Sequence, residues 1–503
     1  MNMKQAKAQL KQTIQAYLAR DEFGNLAIPQ VAQRPILLMG PPGIGKTAIA
    51  HQAAQECGIG IVAYTMTHHT RQSAIGLPSI QTGVFGGQEY KRTEYTMSEI
   101  IASVYQSIER TGLSAGILFL DEMNCVSETL APAMLQFLQC KTFGCHQLPE
   151  GWIVVAAGNP PEYNRSVREF DIVTLDRVRR MDLEADYGVW KEYAYRRQVH
   201  NAILTYLDLK KDHFYQVETT VDGKRFVTAR GWEDLSQFLQ VCEKLELPVE
   251  ESVIAQYLQH PTIAKEFCNY LYLYRKYQSD YDVTAILNGH YTPATVAKLQ
   301  GAPFDERFSA VSLLLDGLFR SCGTANEADA LTTDLHGVLT ELLPQLDGNA
   351  FGLAPLEQTI AQLTGLLEQQ RASNQPDKAV LRRTQQLLTA LERYQTRLAQ
   401  ESLDSGSAAG QAIRRWFQEI VQERKARILS ASAQLEQAFH FLETVFGEGQ
   451  ELVIFVTELT MNPHAMKFIS ENGCESYHHY NRLLLLGGRQ EELLREIQAA
   501  PSL

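Results

Sequence analysis

Gly40-Pro41-Pro42-Gly43-Ile44-Gly45-Lys46-Thr47 is the stretch on which the fold of this chain turns. The apolar run Ile36-Leu37-Leu38-Met39 precedes it, and the helix-prone Ala48-Ile49-Ala50-His51-Gln52-Ala53-Ala54 follows. A buried strand, a glycine-rich turn and a helix start, in that order, make a cradle for phosphate. The glycines let backbone N–H groups close around an anion, and the helix start adds partial positive charge. Lys46 can reach the β- and γ-phosphates of a nucleotide, and the Thr47 hydroxyl can ligate Mg²⁺. Gly40 through Ala48 are therefore the candidate nucleotide-binding residues, with Thr47 also a candidate metal ligand.

Downstream, Gly116-Ile117-Leu118-Phe119-Leu120-Asp121-Glu122 is an apolar run that ends in two acids, the pattern of a central parallel strand. Ligands collect at the C-terminal ends of such strands. Asp121 is thus placed to hold Mg²⁺, and Glu122 to orient or deprotonate an attacking water. A second buried run, Trp152 to Ala157, leads into Gly158-Asn159-Pro160. The Asn159 amide can there hydrogen-bond both a nucleophilic water and the γ-phosphate, although Asn before Pro is also ordinary turn chemistry. Gly60 to Met66 predicts another strand and Ser127 a helix start. Glycine-punctuated hairpins are expected near 80–96 and 141–151, the first interrupting a helix.

The 503 residues predict about three domains. With 45% hydrophobic and 21% charged residues the chain is an ordinary globular protein, and a net charge of −12 argues against a general polyanion binder. No apolar run approaches the roughly 18–20 residues of a membrane span. The lysine-rich start, with Leu10, Ile14 and Leu18 at helical spacing, predicts an amphipathic helix and not a signal peptide. Eight scattered cysteines without a Cys-x-x-Cys pair suit a reducing, cytoplasmic setting. Cys140, Cys145 and His146 are close in sequence but lack a second pair, so a turn is a better reading there than a metal site.

Two helices are expected over 186–213, then a hairpin around Asp222-Gly223, then a helix beginning near Arg230 and carrying Trp232. The stretch 279–303, rich in polar residues, Gly and Pro, predicts a linker. Beyond it, helices are expected at 308–320, 326–343, 355–370, 378–401, 411–445, 451–470 and 480–497. Arg414, Arg415, Trp416, Arg424, Lys425 and Arg427 could meet nucleic acid. Glu419 and Glu423 among them favour a solvated helix face with i,i+4 pairs.

Together these residues resemble an AAA+ ATPase, and within it the MoxR branch, whose hairpin interrupts the second helix. The loop at 40–47, the acids at 121–122, Asn159, Leu175-Asp176-Arg177 and Thr228-Ala229-Arg230-Gly231-Trp232 carry the resemblance. It implies an α/β P-loop core with a parallel sheet at 1–185, a helical lid at 186–278, the linker at 279–303 and an all-α C-terminal domain at 304–503. It implies ATP and Mg²⁺, with Glu122, Lys46 and Asn159 as catalytic residues. Arg177 would be an arginine finger acting on a neighbouring subunit. Family members usually continue with Phe where this chain has Val178-Arg179-Arg180, which leaves Arg179 and Arg180 as alternatives. Arg230 would be sensor 2, contacting the γ-phosphate within its own subunit. The resemblance further implies a ring, commonly a hexamer. That ring would remodel or mature a protein client such as a von Willebrand factor A domain protein, with the hairpins carrying motion to it. Rival readings are a nucleic-acid-directed motor and a nucleotide-binding switch or scaffold with little turnover.

Overall fold

The structure is a computed structural model, described for residues 1–68, 72, 74, 76–143, 146–163, 167, 170–220, 223–347, 353–372, 378–403 and 405–484. Cys145, Asp222 and the expected helical stretch beyond 484 lie outside the described residues. The chain divides into two compact units, residues 1–194 with 206–268, and residues 195–205 with 269–503.

In the first unit, α1 (Met3–Leu18) leads to β1 (Ile36–Met39) and α2 (Lys46–Glu56). Then follow β2 (Gly60–Thr65), the hairpin β3 (Pro78–Phe85) and β4 (Gln88–Tyr95), α3 (Glu99–Thr111), β5 (Gly116–Asp121) and α4 (Ala131–Cys140). A short hairpin, β6 (Thr142–Phe143) with β7 (His146–Gln147), precedes β8 (Trp152–Gly158), α5 (Ile172–Arg177) and β9 (Arg179–Asp182). The sheet is five-stranded in the order β2-β5-β8-β1-β9, with every pairing parallel. Its three central strands, β5, β8 and β1, are apolar because both their faces are covered, whereas the edge strand β9 is mostly polar and exposed. Ile117, Phe119, Ile153, Val155, Ile36 and Leu38 enter one core, shared with α1 and α2. Their alternates, Leu118, Leu120, Val154, Ala156 and Leu37, enter the other, shared with α3 and α4.

The second hairpin is anchored by Phe143, which stacks on Phe137 with ring centroids 4.1 Å apart. Phe137 is the buried residue of α4 there, while Leu135 on the same helix is only half-buried. The helix also begins later than Ser127, at Ala131, with Pro132 in its first turn.

The lid part of this unit contains α6 (Tyr187–Arg196), the end of α7 (Asn201–Leu209), and the antiparallel β10 (Gln216–Thr220) and β11 (Gly223–Val227). It continues with α8 (Ala229–Lys244), α9 (Glu251–Tyr257) and the start of α10 (Pro261–Asp280). Trp232 is its centre. Its ring meets Phe267 edge-on at 5.2 Å, and its indole N–H donates to the His213 carbonyl at 3.2 Å.

The second unit is helical and departs from expectation in four places. The stretch read as a linker folds as α11 (Val283–Leu287) and α12 (Pro293–Gln300), which bury Ile286, Leu287 and Leu299 in the unit's core. The helices expected at 308–320 and 326–343 are one, α13 (Phe304–Asp347), because Cys322 and Ala325 are buried and the run through Gly323 is held by packing. α14 (Ala354–Ala372), α15 (Lys378–Gln400) and α16 (Gly406–Phe446) follow. The expected helix 451–470 is broken into α17 (Gln450–Met461) and α18 (Pro463–Asn472), since Asn462 caps the second with its side chain and Pro463 cannot continue the first. Finally, Trp416 is a core residue, and the basic residues around it are mostly tied to other helices. Arg414 pairs with Asp347 at 2.5 Å, Arg415 with Glu401 at 3.3 Å and Arg424 with Asp329 at 2.5 Å. Only Arg427, with Glu423 at 2.5 Å, makes the expected i,i+4 pair.

Close packing under the sheet gives a test of the fold. A Cβ on Gly116 would stand 2.7 Å from the Trp152 ring and 2.8 Å from the Gly60 carbonyl. The Gly116→Ala variant should therefore lose about 1–3 kcal/mol of stability, seen as an earlier transition in chemical denaturation. A transition unmoved by the substitution would contradict this packing.

Candidate active site

Three adjacent strands, β5, β8 and β1, end at the same edge of the sheet, and each carries one part of the site. β1 runs into the glycine loop, β5 into Asp121-Glu122 and β8 into Asn159. The ladder aligns them, with Met39 opposite Gly158 and Leu120 opposite Ala156.

The loop has the geometry that its glycines permit. Gly43 and Gly45 hold φ of +74° and +104°, left-handed values that a side chain resists. Gly45 is the N-cap of α2, so the first N–H groups of the helix, from Lys46, Thr47 and Ala48, have no partners within the helix. Ile44 turns inward and is buried in the core. Gly40 must stay small, since a Cβ there would lie 2.8 Å from the Leu183 carbonyl. From the lid, Tyr215 donates its hydroxyl to the Pro42 carbonyl at 3.0 Å. The Arg230 N–H donates to the Gly43 carbonyl at 3.2 Å, at the start of a helix capped by Thr228. Arg230 is thus brought to the loop, with its side chain exposed.

Lys46 is 8% exposed. Its ammonium donates to the Gly40 carbonyl at 2.9 Å, to the Pro41 carbonyl at 2.8 Å and to Asn159 Oδ1 at 2.7 Å. Its pKa is lowered to about 8, chiefly by burial; the charge of Asp121 opposes the shift and that of Arg230 adds to it. The Thr47 hydroxyl donates to Asp121 Oδ2 at 3.0 Å. A hydroxyl and a carboxylate this close fit Mg²⁺, which takes one or two protein oxygens and completes its shell with water and phosphate.

Glu122 sits in the left-handed region at φ 54° and opens a short turn, Met123–Cys125. Its carboxylate accepts a hydrogen bond from the Thr67 hydroxyl at 2.9 Å. Asn124, in that turn, donates to the Asn159 carbonyl at 2.7 Å. Neither Thr67 nor Asn124 is distinguishable in sequence as a site residue. Thr67 lies in the short turn Met66–His68 after β2, and Asn124 is one polar residue between Met123 and Cys125.

Arg177 is not brought to this group. β9 begins beside Ile36 and ends beside Asp182's partner Met39, so Arg177 lies beyond the opposite end of β1 from the loop. Arg179 is committed to Thr13 through a 2.8 Å hydrogen bond, and Arg180 to Asp182 at 2.8 Å. Arg177 has no hydrogen bond or ion pair among the described residues.

The depressed Lys46 pKa makes a signed prediction. Phosphate binding needs the ammonium, so nucleotide affinity should be flat below pH 8 and weaken up to tenfold per unit above it, with proton uptake on binding. Lys46→Arg should abolish that slope. The stability change has the opposite sign. With the folded pKa below the ordinary 10.5, stability should rise from pH 8 towards 10 as the buried charge is lost. Fluorescence titrations of nucleotide at pH 7, 8 and 9 check the first claim, and a constant affinity would overturn it.

Residues 36–173 match the family described as "ATPase family associated with various cellular activities (AAA)". No curated protein matches the chain. Similar solved structures include two mutants of RuvB from Thermotoga maritima and the structure titled its Holliday junction branch migration motor. Each is 16% identical and aligns with 40% of this chain, at TM-scores of 0.24, 0.25 and 0.24. The match spans about half of those chains, 53%, 53% and 52%. On the family match, residues 36–173 carry an AAA ATPase domain.

Proposed function

We propose that this protein is a MoxR-like, Mg²⁺-dependent ATPase that assembles as a ring and uses hydrolysis to remodel a protein client. The observation that carries the hydrolytic reading is the Lys46–Asn159 hydrogen bond, flanked by Thr47–Asp121 on one side and Glu122 on the other. Lys46 and the N–H groups of the loop hold the phosphates. Thr47 and Asp121 hold Mg²⁺, which when bound neutralises charge on the transferred group. Glu122, once it leaves Thr67, orients or deprotonates water. Asn159 positions that water against the γ-phosphate, and Arg230 reaches the phosphate from the lid.

Arg177 acts on a neighbour's nucleotide. Its place beyond the far end of β1, at least ten ångströms away on the order of three strand residues, takes it out of its own site, and the commitments of Arg179 and Arg180 leave it the best finger. A cation delivered across an interface stabilises charge on the transferred phosphoryl group and makes turnover depend on assembly.

A protein client, with a von Willebrand factor A domain protein the first candidate, is favoured by the surface of the inserted hairpin. Ile80 and Val84 are 73% and 66% exposed on one face of it, which also carries Lys91 and Glu89, while Arg92 on the other is paired with Glu94. Arg414, Arg415, Arg424 and Arg427 of the C-terminal helices are likewise paired with acids. Both features are poor for tracking a nucleic-acid backbone, which rewards unpaired cations.

Glu122→Gln should lower turnover by about 10²–10⁴-fold with nucleotide affinity preserved; unchanged turnover would return the protein to a switch or scaffold. Lys46→Ala and Arg177→Ala should each be inactive alone and regain turnover on mixing, because a mixed ring pairs an intact loop with an intact finger. Failure to complement would refute the action of Arg177 in trans. Salt-sensitive stimulation of turnover by DNA would overturn the protein-client reading.

A further inference from the structure

The hydrogen-bond ladder between β5 and β8 ends at Leu120 and Ala156. The residues proposed to handle water and phosphate, Glu122 and Asn159, both lie beyond that last pair. Two chain ends that leave a ladder have no backbone reason to keep a fixed spacing. Here they are tied by a side chain: Asn124 Nδ2 donates to the Asn159 carbonyl at 2.7 Å. Asn124 is 4% exposed, and the turn that carries it is pinned by buried Met123 and Val126. Its amide replaces the missing rung.

The surroundings are shaped for this contact. A Cβ on Gly158 would stand 2.8 Å from Asn124 Oδ1, 3.0 Å from its Cγ and 3.0 Å from Met39 Sδ. Only glycine lets the amide come this close to the end of β8. Asn124 Oδ1 is itself buried without a hydrogen-bond partner among the described residues. A buried unsatisfied acceptor is unfavourable, so the amide is held there by its one strong bond and by the packing around it. On the far side, Asn159 Oδ1 accepts from Lys46. Pro160 restricts the backbone of Asn159 to extended values. With its carbonyl held by Asn124 and its Oδ1 by Lys46, the Asn159 amide has its Nδ2 left to face the phosphate and water.

We infer that Asn124 is a positioning residue for hydrolysis, fixing the Asn159 amide relative to the turn that begins at Glu122. It touches neither substrate nor water, and acts through Asn159. This rests on the hydrolytic reading of the site given above.

The experiment is a double-mutant cycle on the full-length chain, with turnover, nucleotide affinity and thermal unfolding measured for Asn124→Ala, Asn159→Ala and the double variant. Asn124→Ala should lower kcat about tenfold or more and leave nucleotide affinity within about threefold. In the Asn159→Ala background it should cost less than about twofold more, because its only route of action is already gone. Gly158→Ala, which displaces the amide without deleting it, should reproduce the kcat loss and serves if Asn124→Ala does not fold. A kcat unchanged by both single changes at 124 and 158, or a loss at 124 that multiplies fully with that at 159, overturns the inference. If Asn159→Ala alone leaves turnover intact, the hydrolytic role of Asn159 fails and takes the inference with it. That outcome is distinct from an impaired Asn159→Ala beside an unimpaired Asn124→Ala.

Discussion

A single buried ammonium organises the catalytic edge of this molecule. Lys46 is the first residue of α2, is almost closed to solvent, and gives its three protons to Gly40, Pro41 and Asn159. A buried cation is tolerated only with such partners, and here they come from the start of the loop that Lys46 ends and from the end of a neighbouring strand. The charge therefore holds the loop in its cradle form and fixes the amide of Asn159 at the same time. Its lowered pKa records the cost of that burial. Phosphate would relieve the cost, which is why a site of this kind gains from anions more than a surface lysine could.

The parallel sheet makes that convergence possible. Because β5, β8 and β1 run the same way, their C-terminal ends lie side by side, and residues far apart in sequence share one edge. Both faces of the three central strands are covered by helices and their residues are apolar, so the polar ends are set by the core beneath them. The glycines at 40 and 158 are needed where neighbouring groups come closest at that edge, and Gly116 where Trp152 fills the base of the sheet.

The loop, the acids and Asn159 are legible in sequence because each is a local pattern: a strand followed by a short polar signal. The long helices of the second unit are legible in type but not in extent. Gly323 looks like a break, yet the burial of Cys322 and Ala325 carries α13 straight through it, so tertiary packing overrides local propensity. The stretch 279–303 looks like a linker because helix signals are weak in pieces of five and eight residues. Thr67 and Asn124 leave no signal at all. Their importance comes from partners 55 and 35 positions away, and only the folded sheet brings those partners within reach.

The same geometry separates what one subunit can do from what it needs. The residues proposed to grip phosphate lie at the C-terminal edge of the strands, and Arg177 lies past the start of β1. α5 ends at Arg177 and β9 starts two residues later, tied through the Arg179 N–H to the Pro35 carbonyl at 2.8 Å. The register of β9 on β1 thus puts Arg177 off the end of β1 opposite to its own loop. On the proposed reading the site is complete only when another copy supplies the missing cation. Hydrolysis is then controlled by assembly, and any client that alters the contact between subunits alters turnover without touching the nucleotide.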